Sequence, residues 1–213
     1  LLSKDDINLF NPNSKTSPMF SSKFDFSICK KIYDKNPILI NENIGYENNS
    51  WNLEYWRMFD MSNDSNLFHR KEQLLNTEFI LQKDSWFVKN EKKLIPLYES
   101  KLFTNYNHRH GSFEGISIER RFGVKAEPTH PSNKQKENVD YEIEPRYWLK
   151  LEDVNARCTR KNVKDECFFV FRNICRTFND SKTTIGTIIP FSAVGHSASV
   201  LLFRDDDPIE RTK

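Results

Sequence analysis

A chain of 213 residues can bury a core of its own, and with 37% hydrophobic and 13% aromatic residues, Phe numbering 17, it is not wholly disordered despite a 29% charged share. A formal net charge of +2 excludes a chain that is basic over its whole surface, so any face for a polyanion is local. Cys29, Cys158, Cys167 and Cys175 are too few and too unevenly spaced for a disulfide framework, include no Cys-x-x-Cys pair, and read as reduced thiols of a cytosolic protein.

In chain order, "SKDDINLF" predicts a short helix with Ser3 as N-cap and Asp6 closing a capping box. "NPNSKTSP" breaks it. The stretch "SSKFDFSICKKIYDKNP" predicts a second helix that places Phe24, Ile28 and Ile32 on one apolar face and stops before Pro37. "PILI" and "WNLEYWRMFD" predict strands, and "SNDSNLFHRKEQLL" a helix capped by Asn63, Asp64 or Ser65. Further strands are predicted by "EFILQ", "SWFV", "LIPLY", "RYWLKL", "CFFVFRNI" and "TTIGTIIP". The fold class is α+β, a mixed or antiparallel sheet with flanking helices in one compact domain spanning 1–213. Residues 125–145, polar and punctuated by proline, predict a mobile surface loop. The uncharged run Ile185 to Phe203 is interrupted by Gly186, Pro190, Gly195 and His196 and does not predict a membrane span. No signal peptide is visible, and an opening "LLSKDD" without Met is expected of a segment of a longer polypeptide.

Four groups of residues suggest chemistry. Glu99 and Lys101, with Asp84 upstream, have the residue types of a metal-dependent nuclease, in which carboxylates hold a divalent cation and lysine orients the attacking water. The alternative is a chance Glu-x-Lys in a charged protein. His108, Arg109 and His110 lie next to Lys101, Tyr106 and Asn107 and offer donors for phosphate oxygens and base edges. A solvated turn is the competing reading, and zinc lacks further ligands at sensible spacing because His69, His130 and His196 are scattered. Two more basic clusters are Arg157, Arg160, Lys161 and Lys164, then Arg172, Arg176 and Lys182. If Phe169 and Phe171 point into the core, Arg172 lies on the opposite face of their strand. An ordinary salt-bridged surface is again the alternative. No Gly-x-Gly-x-x-Gly or Walker lysine loop, no Gly-x-Ser-x-Gly elbow and no Asn/Asp-Pro-Pro-aromatic motif is present, so no catalytic residue is assigned.

The ordered blocks "INLFNPNSKTSPMF", "KKIYDKNPILI", "FDMSNDSNLF", "IPLYESKLFTNYNHR", "PRYWL" and "FRNICRTFNDSKTTIGTIIP" span nearly the whole chain. Together they resemble the C-terminal part of large bacterial adenine-specific DNA methyltransferases of the type IIG restriction-modification class and related phage-defence systems. The resemblance implies a target-recognition domain that grips duplex DNA while a preceding methylase core carries the Asn-Pro-Pro-aromatic motif. It implies no cofactor in this stretch, with S-adenosylmethionine, and magnesium as a further candidate, serving the rest of the enzyme. The family's Pro-Leu-Tyr-Glu-x-Lys-Met and Asp-His-Arg map onto Pro96, Leu97, Tyr98, Glu99, Lys101 and Leu102, then Asn107, His108 and Arg109. Asn107 replaces an acid, and Lys182 stands where arginine is usual, keeping charge without the bidentate fork.

The expected partners are therefore double-stranded DNA and the methyltransferase domain of the same polypeptide. Expected DNA contacts are Lys101, His108, Arg109, Arg172, Arg176 and Lys182, followed by Arg146 and Tyr147; Glu99 is expected to hold Lys101 or Arg109, with Asn107 in support. The alternatives are the nuclease reading on Asp84, Glu99 and Lys101, and an interaction domain that does not meet DNA.

Overall fold

The computed structural model describes residues 2–45, 49–175 and 184–204. The expected α+β class holds: short helices accompany two sheets. The chain divides into two compact units, Leu1–Glu54 with Phe203–Lys213, and Tyr55–Leu202. No helix among the described residues is long and apolar enough to cross a membrane.

In the first unit, α1 (Lys4–Phe10) starts as expected, with the Ser3 hydroxyl accepting from the Asp6 N–H and the Asp6 carboxylate accepting from the Ser3 N–H. Lys30 also bonds Asp6 at 2.6 Å, and Lys30 and Ser3 together hold its carboxyl down at about 2. Helix α2 (Lys23–Lys35) is capped by Ser22 and ends where Pro37 keeps Asn36 extended. Its buried face differs from the expected one. Phe26 and Tyr33 turn towards Phe10 and Phe20, with ring centroids 5.0–6.0 Å apart. Phe24, Ile28 and Ile32 stay in contact with solvent. A cluster of four aromatic rings buries more area than a stripe of one phenylalanine and two isoleucines, so it decides which side turns inward. "PILI" forms no strand. Asn13 instead donates to Ile40 O and accepts from the Glu42 N–H, and Asn49 brackets Asn41, so amide side chains satisfy backbone groups that a ladder would otherwise pair.

The second unit begins in β1 (Leu53–Trp56), of which it holds Tyr55 and Trp56. The helix expected over 63–75 is two pieces, α3 (Met61–Asp64), capped by Asp60, and α4 (Lys71–Asn76), separated by a 3-10 turn. Between them His69 exchanges backbone hydrogen bonds with Trp148, which forces an extended step. Strands β2 (Ile80–Leu81), β3 (Phe87–Lys89) and β4 (Lys92–Tyr98) follow, then α5 (Ile118–Arg121), α6 (Asn133–Glu137), β5 (Trp148–Lys150) and α7 (Leu151–Arg160). The unit closes with β6 (Cys167–Arg172), β7 (Gly186–Pro190), β8 (Ala193–Val194) and β9 (Ala198–Phe203). One sheet runs β1-β9-β6-β7; the other runs β2-β3-β4-β5, with β8 parallel to β4.

Pro96 sits inside central β4 without cost. Leu97 N–H bonds Tyr147 O on the β5 side, so position 96 faces the other side, where β3 pairing has ended at Leu94 and β8 pairing begins at Leu97. Around this strand Met58, Phe59, Ile95, Leu97, Phe113, Leu149, Val154, Val170, Val194 and Val200 form the buried core. Helix α7, unforeseen, turns Val154 and Cys158 inward and carries Glu152 and Asp153 in its first turn and Arg157 and Arg160 in its last, matching the helix dipole.

The parity of β6 is the reverse of the condition considered for Arg172. Phe168 and Val170 are buried, whereas Phe169 and Phe171 lie on the outer face, so Arg172 shares the inward side at the end of the strand. Residues 125–145 contain α6, whose Ser132 and Gln135 make a capping box, and a backbone bridge joins Thr129 to Ser112. The segment is thus a structured loop with internal anchors.

Candidate nucleic-acid interface

The candidate surface is built on the chain leaving β4. Glu99 begins a 3-10 turn at Ser100–Leu102, and Thr104 and Asn107 then close a tight turn through paired backbone bonds of 2.9 and 3.1 Å. Its tip is Tyr106, in the left-handed region with φ +59° and 99% exposed. Asn105 ties the turn to β7, accepting from the Gly186 N–H at 2.7 Å and donating to Thr184 O. Asn107 acts as expected in support: its Oδ1 accepts from the Arg109 N–H at 2.9 Å and fixes the chain beyond the turn. An amide oxygen suffices there, which makes the missing carboxylate immaterial to this contact.

His108 Nδ1 and the Tyr98 hydroxyl share a hydrogen bond of 3.2 Å. Burial raises the Tyr98 phenol far above its ordinary value, so it stays protonated. Burial, assisted by the Arg109 charge, holds His108 below the usual imidazole value.

The Arg109 guanidinium is not free for base reading. It donates to Tyr141 O at 2.9 Å, Asn138 O at 3.1 Å and Lys136 O at 3.1 Å, clamping α6 and the segment after it. Next in sequence, His110 packs on His130 with ring centroids 4.4 Å apart, while His130 Nδ1 donates to His110 O at 2.9 Å. Burial is the first cause lowering the His110 pKa, followed by the positive charges of His130, Arg172 and Lys136. Three stretches remote in sequence thus meet around His110: 108–110, 130–136 and the end of β6. The Arg172 guanidinium donates to Phe103 O and lies 5.8 Å from the Phe103 ring, and its buried Nε has no hydrogen-bond partner among the described residues.

Other expected contacts have different work. Lys101 Nζ is held by Glu127 at 2.7 Å and Ala126 O at 2.6 Å. Glu99 does not hold Lys101 or Arg109: both its oxygens take the Arg146 fork, at 2.8 and 2.5 Å, because Arg146 enters from the segment before β5 at the matching height. That guanidinium lies 5.6 Å from both the Phe113 and the Tyr147 rings, and the hydrogen bond to Glu99 is the first cause raising the Arg146 pKa. Tyr147 packs between Phe68 and Phe122 and is partly buried. Arg157, from the second basic cluster, is a strut as well, bonding Asp64 at 2.6 Å and Met58 O and stacking 4.1 Å from the Phe59 ring. Arg176 and Lys182 lie outside the described residues.

Asp84 caps its own turn by accepting from the Trp86 N–H at 3.2 Å. With Glu99 on Arg146 and Lys101 on Glu127, the residues of the nuclease alternative each have separate partners. Among the described residues no group of three or more His, Cys, Asp or Glu is placed to hold a metal ion.

The sequence reading places His110 within the His-Arg-His cluster but not among the expected contacts, and gives no DNA contact to His130 or Lys136. The only signal for the latter was the Ser132-x-x-Gln135 capping-box spacing, which places a helix start beside His130. Comparison with models of known protein families, with curated proteins and with solved structures finds no match.

The lowered histidine values give a pH dependence of stability with a definite sign. The folded chain resists protonating His108 and His110 at 6.5, where the unfolded chain takes up protons. Their contribution is therefore intact above about pH 6.5 and is lost as the pH falls towards the folded values. Urea midpoints measured at pH 7.5 and 6.0 should decrease, and the decrease should shrink in His108→Asn/His110→Asn.

Proposed function

We propose that this chain is the double-stranded DNA recognition module of an adenine N6 methyltransferase of the restriction-modification type, grasping the duplex through the surface around His110. Its role is binding. Methyl transfer from S-adenosylmethionine, and any magnesium-dependent cleavage, belong in this reading to the methyltransferase part of the enzyme.

The observation that carries the reading is the convergence of His110, His130, Lys136 and Arg172. Among the described residues none of these four forms an ion pair with a carboxylate. Lys101, Arg146 and Arg157, by contrast, are each neutralised by an acid. Lys136 and Arg172 carry positive charge that no carboxylate faces, and a phosphate backbone would both neutralise them and favour the charged form of His110, which burial and those charges disfavour in the free chain. Tyr106, fully exposed at the tip of the 104–107 turn, adds an aromatic donor suited to sugar or phosphate. His108, whose Nδ1 is engaged with Tyr98, presents Nε2 as a candidate for a base edge. The ordered sequence blocks support the same reading. Lys101 and Arg109 enter it as residues that shape the surface.

Fluorescence anisotropy with a labelled duplex of randomised sequence tests the proposal. Lys136→Glu/His130→Ala should weaken binding at least about tenfold, a change of ~1.4 kcal/mol. Lys164→Glu, an exposed charge change of the same size outside the cluster, should leave it near wild type. Equal losses in the two variants, or none in either, would contradict the assignment.

Binding should also take up a proton. Phosphate beside His110 favours the charged ring, which the free chain disfavours, so affinity is expected to rise as the pH falls from 7.5 to 6. The limit for one proton is about one decade per pH unit. His110→Asn should flatten that profile, and a flat wild-type profile would count against a phosphate at this ring.

A further inference from the structure

Within the Tyr55–Leu202 unit, a cavity of ≈ 270 Å³ opens between the β2–β3 hairpin, β4, the segment before β5 and the β7–β8 turn. Trp86, Tyr98 and Phe191 give it aromatic walls, and its polar groups are Asp84, Glu142 and Ser192. The surroundings are firm. Ser85 bonds Ile143 O at 2.9 Å, and Trp148 Nε1 donates to Ser85 O at 2.7 Å, which anchors the hairpin that carries Asp84 and Trp86.

Two features of this cavity are left incomplete by the fold. Ser192 is wholly buried, yet its Oγ has no hydrogen-bond partner among the described residues. Buried hydroxyls are ordinarily paired, so an unpaired one lining a cavity points to a group that arrives from outside. Glu142 accepts no hydrogen bond from the described residues, and burial followed by the neighbouring Asp84 charge raises its pKa. Arg109 opposes that shift, but its guanidinium is already committed to three backbone carbonyls. Two carboxylates against one guanidinium leave one negative charge in excess.

We propose that this pocket binds a small organic monocation, an alkylammonium or guanidinium head, packed against Trp86 and Phe191, neutralised by Glu142 and Asp84, and donating an N–H to Ser192 Oγ. Aromatic faces attract such a cation, and the volume suits a short alkyl stem with its head group. The site is independent of the DNA reading.

An NMR titration decides it, following the Trp86 indole N–H, whose signal is assigned by its loss in Trp86→Phe. n-Butylguanidinium should give a saturable shift, and n-butylurea, its neutral isostere, none at the same concentration. Asp84→Asn, at an exposed side chain, should weaken binding at least about tenfold, as should Glu142→Gln. If Glu142→Gln alters the whole spectrum, Asp84→Asn alone decides. N-acetyl-arginine methylamide identifies the source: binding as tight as butylguanidinium assigns a protein side chain, and exclusion assigns a free small cation. Equal responses to the charged and neutral probes, no saturation, or full affinity in Asp84→Asn would overturn the proposal.

Discussion

Glu144→Ala is expected to destabilise the Tyr55–Leu202 unit by about 3–5 kcal/mol, the range for breaking a buried ion pair by removing one partner. Glu144 is buried and takes Arg121 Nη2 at 2.5 Å on one oxygen and Lys71 Nζ on the other. The Arg121 side chain is 6% exposed, and its Nε and Nη1 already lack partners among the described residues. After truncation only Phe113 O, at 2.7 Å, would face a guanidinium that water scarcely reaches. Urea unfolding followed by tryptophan fluorescence measures the loss. Arg121→Met/Glu144→Met should recover most of it, since well-packed apolar side chains can replace a buried pair at little cost. A loss below about 1 kcal/mol in the single variant would mean that the pair is solvated.

Arg109→Ala is expected to act on structure first and on any ligand second. Its three carbonyl acceptors lie at 136, 138 and 141, so one side chain spans the end of α6 and the segment that follows. Removing these charge-assisted bonds should cost about 2–3 kcal/mol. The effect should be local: amides of α6 and of 138–141 should exchange faster while those of β4 and β6 keep their protection. Uniform protection in the variant would show that α6 holds its place without the clamp. This changes what an Arg109 variant can say about DNA, because weakened affinity there would report a displaced Lys136 as readily as a missing guanidinium.

What was legible in the sequence was local chemistry. The Ser3 and Asp6 capping box, the stop before Pro37, and strands β3, β4, β6 and β7 follow from side chains within a few residues of one another. Sidedness was not legible. Nothing near α2 says that Phe26 and Tyr33 will find Phe10 and Phe20, and nothing in "CFFVFR" says which phenylalanines turn inward. The core decides both, through packing between residues far apart in the chain. Helix α7 was overlooked because Leu151, Val154 and Cys158 form a sparse apolar stripe directly after β5.

The site followed the same division. His108 and Arg109 stood out as residue types, and Arg172 was chosen for a face of β6 that it does not occupy. Its actual place, on the inward side at the end of the strand, is what brings it to Phe103 and His110. Charge seen in sequence says nothing of its counter-charge. Glu127 for Lys101 and Glu99 for Arg146 are pairings across 26 and 47 positions, and they remove two cations from the expected surface. In the proposed reading His130 and Lys136 take their place, carried by a segment that read as a polar loop.

The salt dependence of DNA binding tests the central claim most directly, because it counts phosphates instead of inferring them. Each neutralised phosphate adds about 0.9 to the slope of log affinity against log salt concentration on duplex DNA. The slope for Lys136→Glu/His130→Ala is predicted to be smaller than that of the wild-type chain by about 1–2, which corresponds to one or two phosphates no longer neutralised. A slope identical in the two proteins, whatever their affinities, would place the phosphate-binding groups elsewhere and contradict this account.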